Sequence, residues 1–183
     1  MSDGLPSRIL YLHAALDAAG LPHAFGGAIA LAYCTAEPRG TKDIDLNVFV
    51  GVDRVDEVLA ALAPGVVATA EQRAQLHRDG QSRLWWGEVP VDVFLSNVPF
   101  HDHAEAGHRR VPFAGVSDLP VLACEDLAVF KAFFARPKDA IDVATMIEAG
   151  SIDRRHLEDT VVAMLGDQSS AHFFARVDDA LSG

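Results

Sequence analysis

Residues 43–50 read Asp-Ile-Asp-Leu-Asn-Val-Phe-Val, and their alternation is almost unbroken. Ile44, Leu46, Val48 and Val50 point one way, and Asp43, Asp45 and Asn47 the other. Period two is the mark of a half-buried β-strand. Two carboxylates at i and i+2 then stand on one face, with Cα atoms roughly 6.5 Å apart by strand rise. Two readings remain open at this point. The charged side is the solvent face of an exposed strand, or the like charges share a hard cation held by oxygen ligands.

The residues just upstream bear on that choice. A short apolar piece, Ala24-Phe25, leads into Gly26-Gly27, and an Ala/Leu-rich helical run follows over 28–34. Glycines at a strand-to-helix junction let backbone N–H groups approach a ligand closely, and the start of a helix favours phosphate. A phosphate cradle thus precedes a carboxylate pair able to hold Mg²⁺. Either feature alone is weak; their order and spacing make the combination specific.

Gly26-Gly27, the helical run and then Arg39-Gly40-Thr41-Lys42-Asp43-Ile44-Asp45-Leu46 resemble the signature of the DNA polymerase β-like nucleotidyltransferase superfamily. The form Arg39-x-Thr41-x-Asp43-x-Asp45 is most similar to the minimal bacterial members. These include the AbiEii-like toxins of type IV abortive-infection systems and, more distantly, the aminoglycoside and lincosamide nucleotidyltransferases. The resemblance is carried by residues 25–50 and by two later places, and is absent from the C-terminal end. It implies a small mixed sheet flanked by helices, and transfer of a nucleoside monophosphate from an NTP to an acceptor hydroxyl with two Mg²⁺ ions. Asp43 and Asp45 would hold the metal, Gly26 and Gly27 would meet the phosphates, and Arg39 and Thr41 would sit at the nucleotide. The acceptor would be tRNA or a protein hydroxyl for a toxin, which would also have an antitoxin partner, or a drug-like small molecule for a resistance enzyme. One departure stands out: the position after the first glycine is a second glycine followed by Ala28, so a side-chain phosphate ligand is missing.

The resemblance also implies a third carboxylate on a later strand. Residues 82–86 and 89–95 flank Gly87-Glu88, a two-residue hairpin signal. Val89, Val91, Val93 and Leu95 share one face of the second strand; Pro90, Asp92 and Phe94 share the other. Asp92 is the lone charge in an apolar strand, where an unpaired buried charge is costly. It either faces solvent on an edge strand, which Pro90 permits, or completes the site with Asp43 and Asp45.

Two later features look like the abortive-infection toxins. Lys131 is the one internal cation of an apolar helix over 125–135, and Lys138-Asp139-x-x-Asp142 follows Arg136-Pro137. The resemblance gives Lys131 and Asp139 a nucleotide-contacting role. The residues alone equally suit a lysine whose stem covers apolar surface and an N-capping acid. Leu127, Val129, Phe130, Phe133 and Phe134 cover most of that helix's circumference, so it is expected to be well buried.

The remaining chain adds helices at 5–19, from Asp53 to about Leu62, and over 153–165 and 169–181. Short strands are expected at 22–25, 66–70, 109–113 and around 121–122. Residues 72–79 suit either a polar helix or a loop. His101-Asp102-His103 reads as loop, since no cysteine or carboxylate set completes a zinc site. The fold expected is α/β (α+β): a catalytic core over 1–122 and a helical C-terminal part over 123–183. With 183 residues, 50% of them hydrophobic, a real core is assured. A formal charge of −11 disfavours a general nucleic-acid coating protein. Cys34 and Cys124, both in apolar helical runs, are expected to be reduced core residues of a cytoplasmic protein. No signal peptide or membrane span is expected.

Overall fold

A computed structural model describes residues 4–38 and 40–182. Contacts divide the chain into two units: residues 1–27 with 40–122, and residues 28–39 with 123–183.

The first unit contains every strand: β1 (His23–Phe25), β2 (Ile44–Val48), β3 (Gln81–Trp86), β4 (Val89–Leu95), β5 (Arg109–Phe113) and β6 (Val116–Val121). They form one six-stranded mixed sheet in the order β3-β4-β2-β1-β6-β5. β2 runs parallel to β4 and antiparallel to β1. The alternation read from the sequence holds on its apolar side, over a strand shorter than the 43–50 expected, whereas Asn47 on the other side is buried as well. Ile44, Leu46, Val48, Val91, Val93 and Leu95 are buried together, and this apolar face fixes the register, because a slip of one residue would turn it to water. β4 is an inner strand, paired on both sides. That overturns the edge-strand reading of Asp92; Pro90 is tolerated because β2 pairs only with Val91 to Leu95, so that Pro90 is paired with β3 alone.

The same unit holds α1 (Leu5–Ala18), α3 (Val55–Leu62), α4 (Ala70–Asp79) and α5 (Phe100–Gly107). α1 buries Ile9, Leu12 and Leu16, the i, i+3, i+7 stripe of an amphipathic helix. Residues 72–79 are helical because Thr69 caps them. Its hydroxyl accepts from the Gln72 backbone N–H while the side-chain Oε1 of Gln72 accepts from the Thr69 backbone N–H. The strand expected at 66–70 is reduced to a single bridge between Val67 and Trp85. Asp53 lies in a 3₁₀ turn and caps nothing with its side chain. His101-Asp102-His103 is in α5, not a loop; Nδ1 of His101 lies 3.2 Å from the Val98 carbonyl.

The second unit is helical: α2 (Gly27–Thr35, from Ala28 on), α6 (Cys124–Phe134), α7 (Pro137–Glu148), α8 (Arg154–Leu165) and α9 (Asp167–Ser182). α6 is less buried than its composition suggested, since Phe133 and Phe134 are exposed near its end. It stops at Ala135, whose backbone is left-handed at φ +48°. The expectation of reduced cysteines fails. Cys34 of α2 and Cys124 of α6 form a disulfide, with Cα atoms 5.6 Å apart. The two runs are distant in sequence but neighbours in space, so the thiols meet. The cysteines therefore give no support to a reducing compartment. No helix among the described residues is long and apolar enough to cross a membrane.

Candidate active site

Strand pairing sets four residues in one row across the sheet. On β2 and β4, Asp45 is the register partner of Asp92. On the far side of β4, Asp92 is the partner of Arg83 on β3. On the near side of β2, the Gly26 N–H donates to the Asp45 carbonyl at 2.9 Å, next to the Phe25–Leu46 pair. The row thus reads Arg83, Asp92, Asp45, Gly26. Asp43 lies in the bend just before β2, and its Oδ2, 3.9 Å from Nη2 of Arg83, puts it beside the same row. Neighbouring strands are about 4.8 Å apart, so the three carboxylates form one acidic patch on the opposite side of the sheet from the apolar core.

Each carboxylate is held. Asp43 accepts a 2.6 Å hydrogen bond from the Thr41 hydroxyl. Asp92 accepts a forked pair from Arg83: Nε to Oδ1 and Nη2 to Oδ2, both 2.7 Å. The same Nη2 stands 3.9 Å from Oδ2 of Asp43. Hydrogen bonding to Asp92, with the charges of Asp92, Asp43 and Asp45 behind it, raises the Arg83 pKa above its usual value. The carboxylate of Asp45 packs against Gly27, which has φ +51°. A Cβ at Gly27 would lie 1.8 Å from Oδ2 of Asp45, so only glycine admits this arrangement.

A divalent cation is implied by such a patch, and two observations bear on whether the residues suit it. The donors are hard carboxylate oxygens, the ligands Mg²⁺ prefers. A guanidinium already stands among them as a cation. Among the described residues, however, no three His, Cys, Asp or Glu side chains converge closely enough to hold a metal ion. Both oxygens of Asp92 are engaged by Arg83. The donor set fits a metal in its chemistry.

Thus Gly26, Gly27, Thr41, Asp43, Asp45 and Asp92 are brought together, whereas Arg39 lies outside the described residues. Lys131 and Asp139 form a different cluster, within the second unit. Lys131 Nζ is 2.6 Å from Asp142 Oδ2 and 3.5 Å from Asp139 Oδ1. Asp139 also takes Nε of Arg136 at 2.7 Å and the Arg136 backbone N–H at 3.0 Å. Lys131 is 5% exposed and Asp139 0%, so the lysine is committed to carboxylates and does not lie along the surface. His101 is likewise buried, and burial lowers its pKa.

Arg83 was not among the residues singled out by sequence, yet a signal existed. A two-residue loop at Gly87-Glu88 pairs Trp86 with Val89, and counting back places Arg83 opposite Asp92. Trp85, two residues on, shares the face of Arg83 and is 44% exposed.

Comparison with solved structures identifies the architecture. The chain is similar to the antibiotic-resistance factor ANT(2'')-Ia in complex with adenylyl-2''-tobramycin, with a TM-score of 0.60 and 18% identity over 93% of this chain and 97% of that one. A solution structure of ANT(2'')-Ia matches with a TM-score of 0.53 and 16% identity, over 100% and 95% of the two chains. An antigenic nucleotidyltransferase-like protein from Paracoccidioides brasiliensis matches with a TM-score of 0.56 and 18% identity, over 97% and 93%. The fold is that of the nucleotidyltransferases. No family model matches the sequence, and no curated protein does.

Proposed function

We propose that this protein is a nucleotidyltransferase that moves a nucleoside monophosphate from an NTP to a hydroxyl of a cationic small molecule. The observation that carries the reading is the acidic patch of Asp43, Asp45 and Asp92 on adjacent strands, facing the Gly26-Gly27 turn. Asp43, Asp45 and Asp92 would hold divalent magnesium, which when bound offsets phosphate charge and lowers the pKa of a nearby hydroxyl. Gly26 and Gly27 leave backbone room for the triphosphate. The acceptor oxygen attacks the α-phosphorus, pyrophosphate leaves with the electrons of the broken P–O bond, and a carboxylate of the patch takes the hydroxyl proton.

Charge supports the acceptor class. A protein of net charge −11 repels polyanions and draws cations to an acidic face. The exposed Trp85 on that face offers a ring against which a cationic sugar can lie. The similar ANT(2'')-Ia structure is a complex with adenylyl-2''-tobramycin, in which an adenylyl group is joined to a small molecule.

A second reading rests on Arg39-x-Thr41-x-Asp43-x-Asp45 and its likeness to abortive-infection toxins: the acceptor is a tRNA or protein hydroxyl, and an antitoxin protein is the partner. One experiment separates the two. Each NTP, labelled at the α-phosphate, is incubated with protein and Mg²⁺, together with a panel of aminoglycosides or with total tRNA. Label on an aminoglycoside, lost in Asp45→Asn, supports the first reading. Label on tRNA or on the protein, with growth arrest on expression that Asp45→Asn relieves, supports the second. Absence of pyrophosphate release under every condition refutes both.

A further inference from the structure

Arg83 does more than brace a hairpin. Its guanidinium is placed where a cation is needed: both oxygens of Asp92 are engaged at 2.7 Å, and Asp43 is 3.9 Å away. Without it, three carboxylates would crowd one face with their repulsion unrelieved. The partners are unequal in freedom. The Asp92 side chain is 16% exposed and sits on an inner strand paired on both sides. The Arg83 side chain is 51% exposed, on β3, the last strand of the sheet, whose outer edge meets only the Val67 bridge to Trp85 and the Gln72 side chain on the Arg83 carbonyl. If the pair opens, the arginine is the one that swings. A guanidinium fork matches a phosphate as well as it matches a carboxylate, so it can exchange one for the other with no loss of hydrogen bonds.

We propose that Arg83 is a built-in counter-ion that couples metal binding to nucleotide binding. In the free protein it occupies the carboxylates and holds off a lone divalent cation. When a metal–nucleotide complex arrives, the cation takes the carboxylates and the released guanidinium turns to the triphosphate. The inference rests on the nucleotidyl-transfer reading and adds a positioning residue to it. The consequence is that the metal enters in company with the nucleotide and poorly alone.

The test is thermodynamic and needs no turnover. Mn²⁺ binding is followed by loss of the free-ion electron paramagnetic resonance signal, with and without the α,β-methylene analogues of the four NTPs. Wild type, Arg83→Gln and Arg83→Lys are compared, with Asp45→Asn as the site control. For Arg83→Gln, Mn²⁺ alone should bind about three- to ten-fold more tightly than to wild type, the range expected when a forked, half-exposed ion pair no longer competes. The enhancement of Mn²⁺ affinity by the best analogue should shrink about five-fold or more, because the guanidinium that linked the two ligands is gone. Arg83→Lys, which keeps the charge and loses the fork, should fall between. If Arg83→Gln leaves both the affinity for Mn²⁺ alone and the enhancement unchanged, while Asp45→Asn abolishes binding, Arg83 is merely structural and the proposal is overturned with the transfer reading intact. If wild type binds no Mn²⁺ with any analogue, both are overturned.

Discussion

Replacing Gly27 by alanine is the sharpest perturbation available, because the geometry sets its size. At φ +51° an alanine occupies the left-handed region, at a cost of roughly 1–2 kcal/mol. Its Cβ would stand 1.8 Å from Oδ2 and 2.5 Å from Cγ of Asp45. The backbone of Asp45 cannot retreat, since its carbonyl accepts from Gly26 and its strand is paired on both sides. The carboxylate must therefore swing aside by about 1 Å or more, which adds about 1 kcal/mol of rotamer strain. A net loss of about 2–3 kcal/mol of stability follows. A misplacement of that size in a catalytic group costs about 100-fold in rate. Gly26→Ala is the control. Its Cβ meets Asn47 Nδ2 at 3.1 Å and Leu122 Cδ1 at 3.2 Å, both outer atoms of side chains, and lies 3.7 Å from Asp45 Cβ. It should cost about 1 kcal/mol and leave Mn²⁺ affinity unchanged, because the Asp45 carboxylate is not displaced. Urea denaturation, Mn²⁺ affinity and kcat/KM for pyrophosphate release are the measurements. If Gly27→Ala keeps both Mn²⁺ affinity and rate, or if Gly26→Ala does equal harm, the packing of Asp45 against Gly27 is not what shapes the site.

Three further outcomes are expected. Lys131→Met should destabilise the protein by about 3–5 kcal/mol, because it strips the cation from buried Asp142 and Asp139; lost transfer at unchanged stability would instead restore a phosphate-contacting role. His23 is buried, and burial pushes its pKa down from 6.5 to about 4. The unfolded chain thus binds the extra proton between these values, stability falls as pH drops through that window by up to about 3 kcal/mol, and His23→Gln should flatten the slope in urea midpoints taken from pH 7 to 4. Reduction of the Cys34–Cys124 disulfide, which closes a loop of sequence separation 90, should cost about 4–5 kcal/mol by loop entropy; identical denaturation midpoints with and without reductant would contradict it.

The part of the site that was legible in the sequence is the part written in period two. Alternation along β2 and β4 sorts Asp45 and Asp92 onto one face, Asp43 follows from the bend just before β2, and the hairpin loop carries enough register to add Arg83. What alternation does not encode is which strands become neighbours. Pro90 made β4 look like an edge, and its inner position follows from pairing with β2, a contact made across some fifty residues of chain. The disulfide escaped for the same reason, since nothing local to Cys34 points to Cys124. The charged network of the second unit was visible as separate helical residues. Its closure depends on the turn at Ala135, where a left-handed alanine folds α7 back and delivers Asp142 to Lys131. His23 was read only as part of a strand. Its Nδ1 faces the Leu21 carbonyl at 2.8 Å and so carries the proton, leaving Nε2 to accept from His13 Nδ1 at 2.9 Å.

The division of the chain into units also has a consequence in time. Residues 28–39 belong with residues 123–183, although β2 to β6 are all made between them. A ribosome adding about 5–20 residues per second releases Cys34 several seconds before Cys124 exists. During that interval the early helix has neither its packing partners nor its covalent one. With two cysteines in the chain, there is no wrong intramolecular pairing to make while it waits. The only mistaken bond open to Cys34 is with another molecule, so crowding of nascent chains, and not internal scrambling, is what would limit the yield of correctly joined protein.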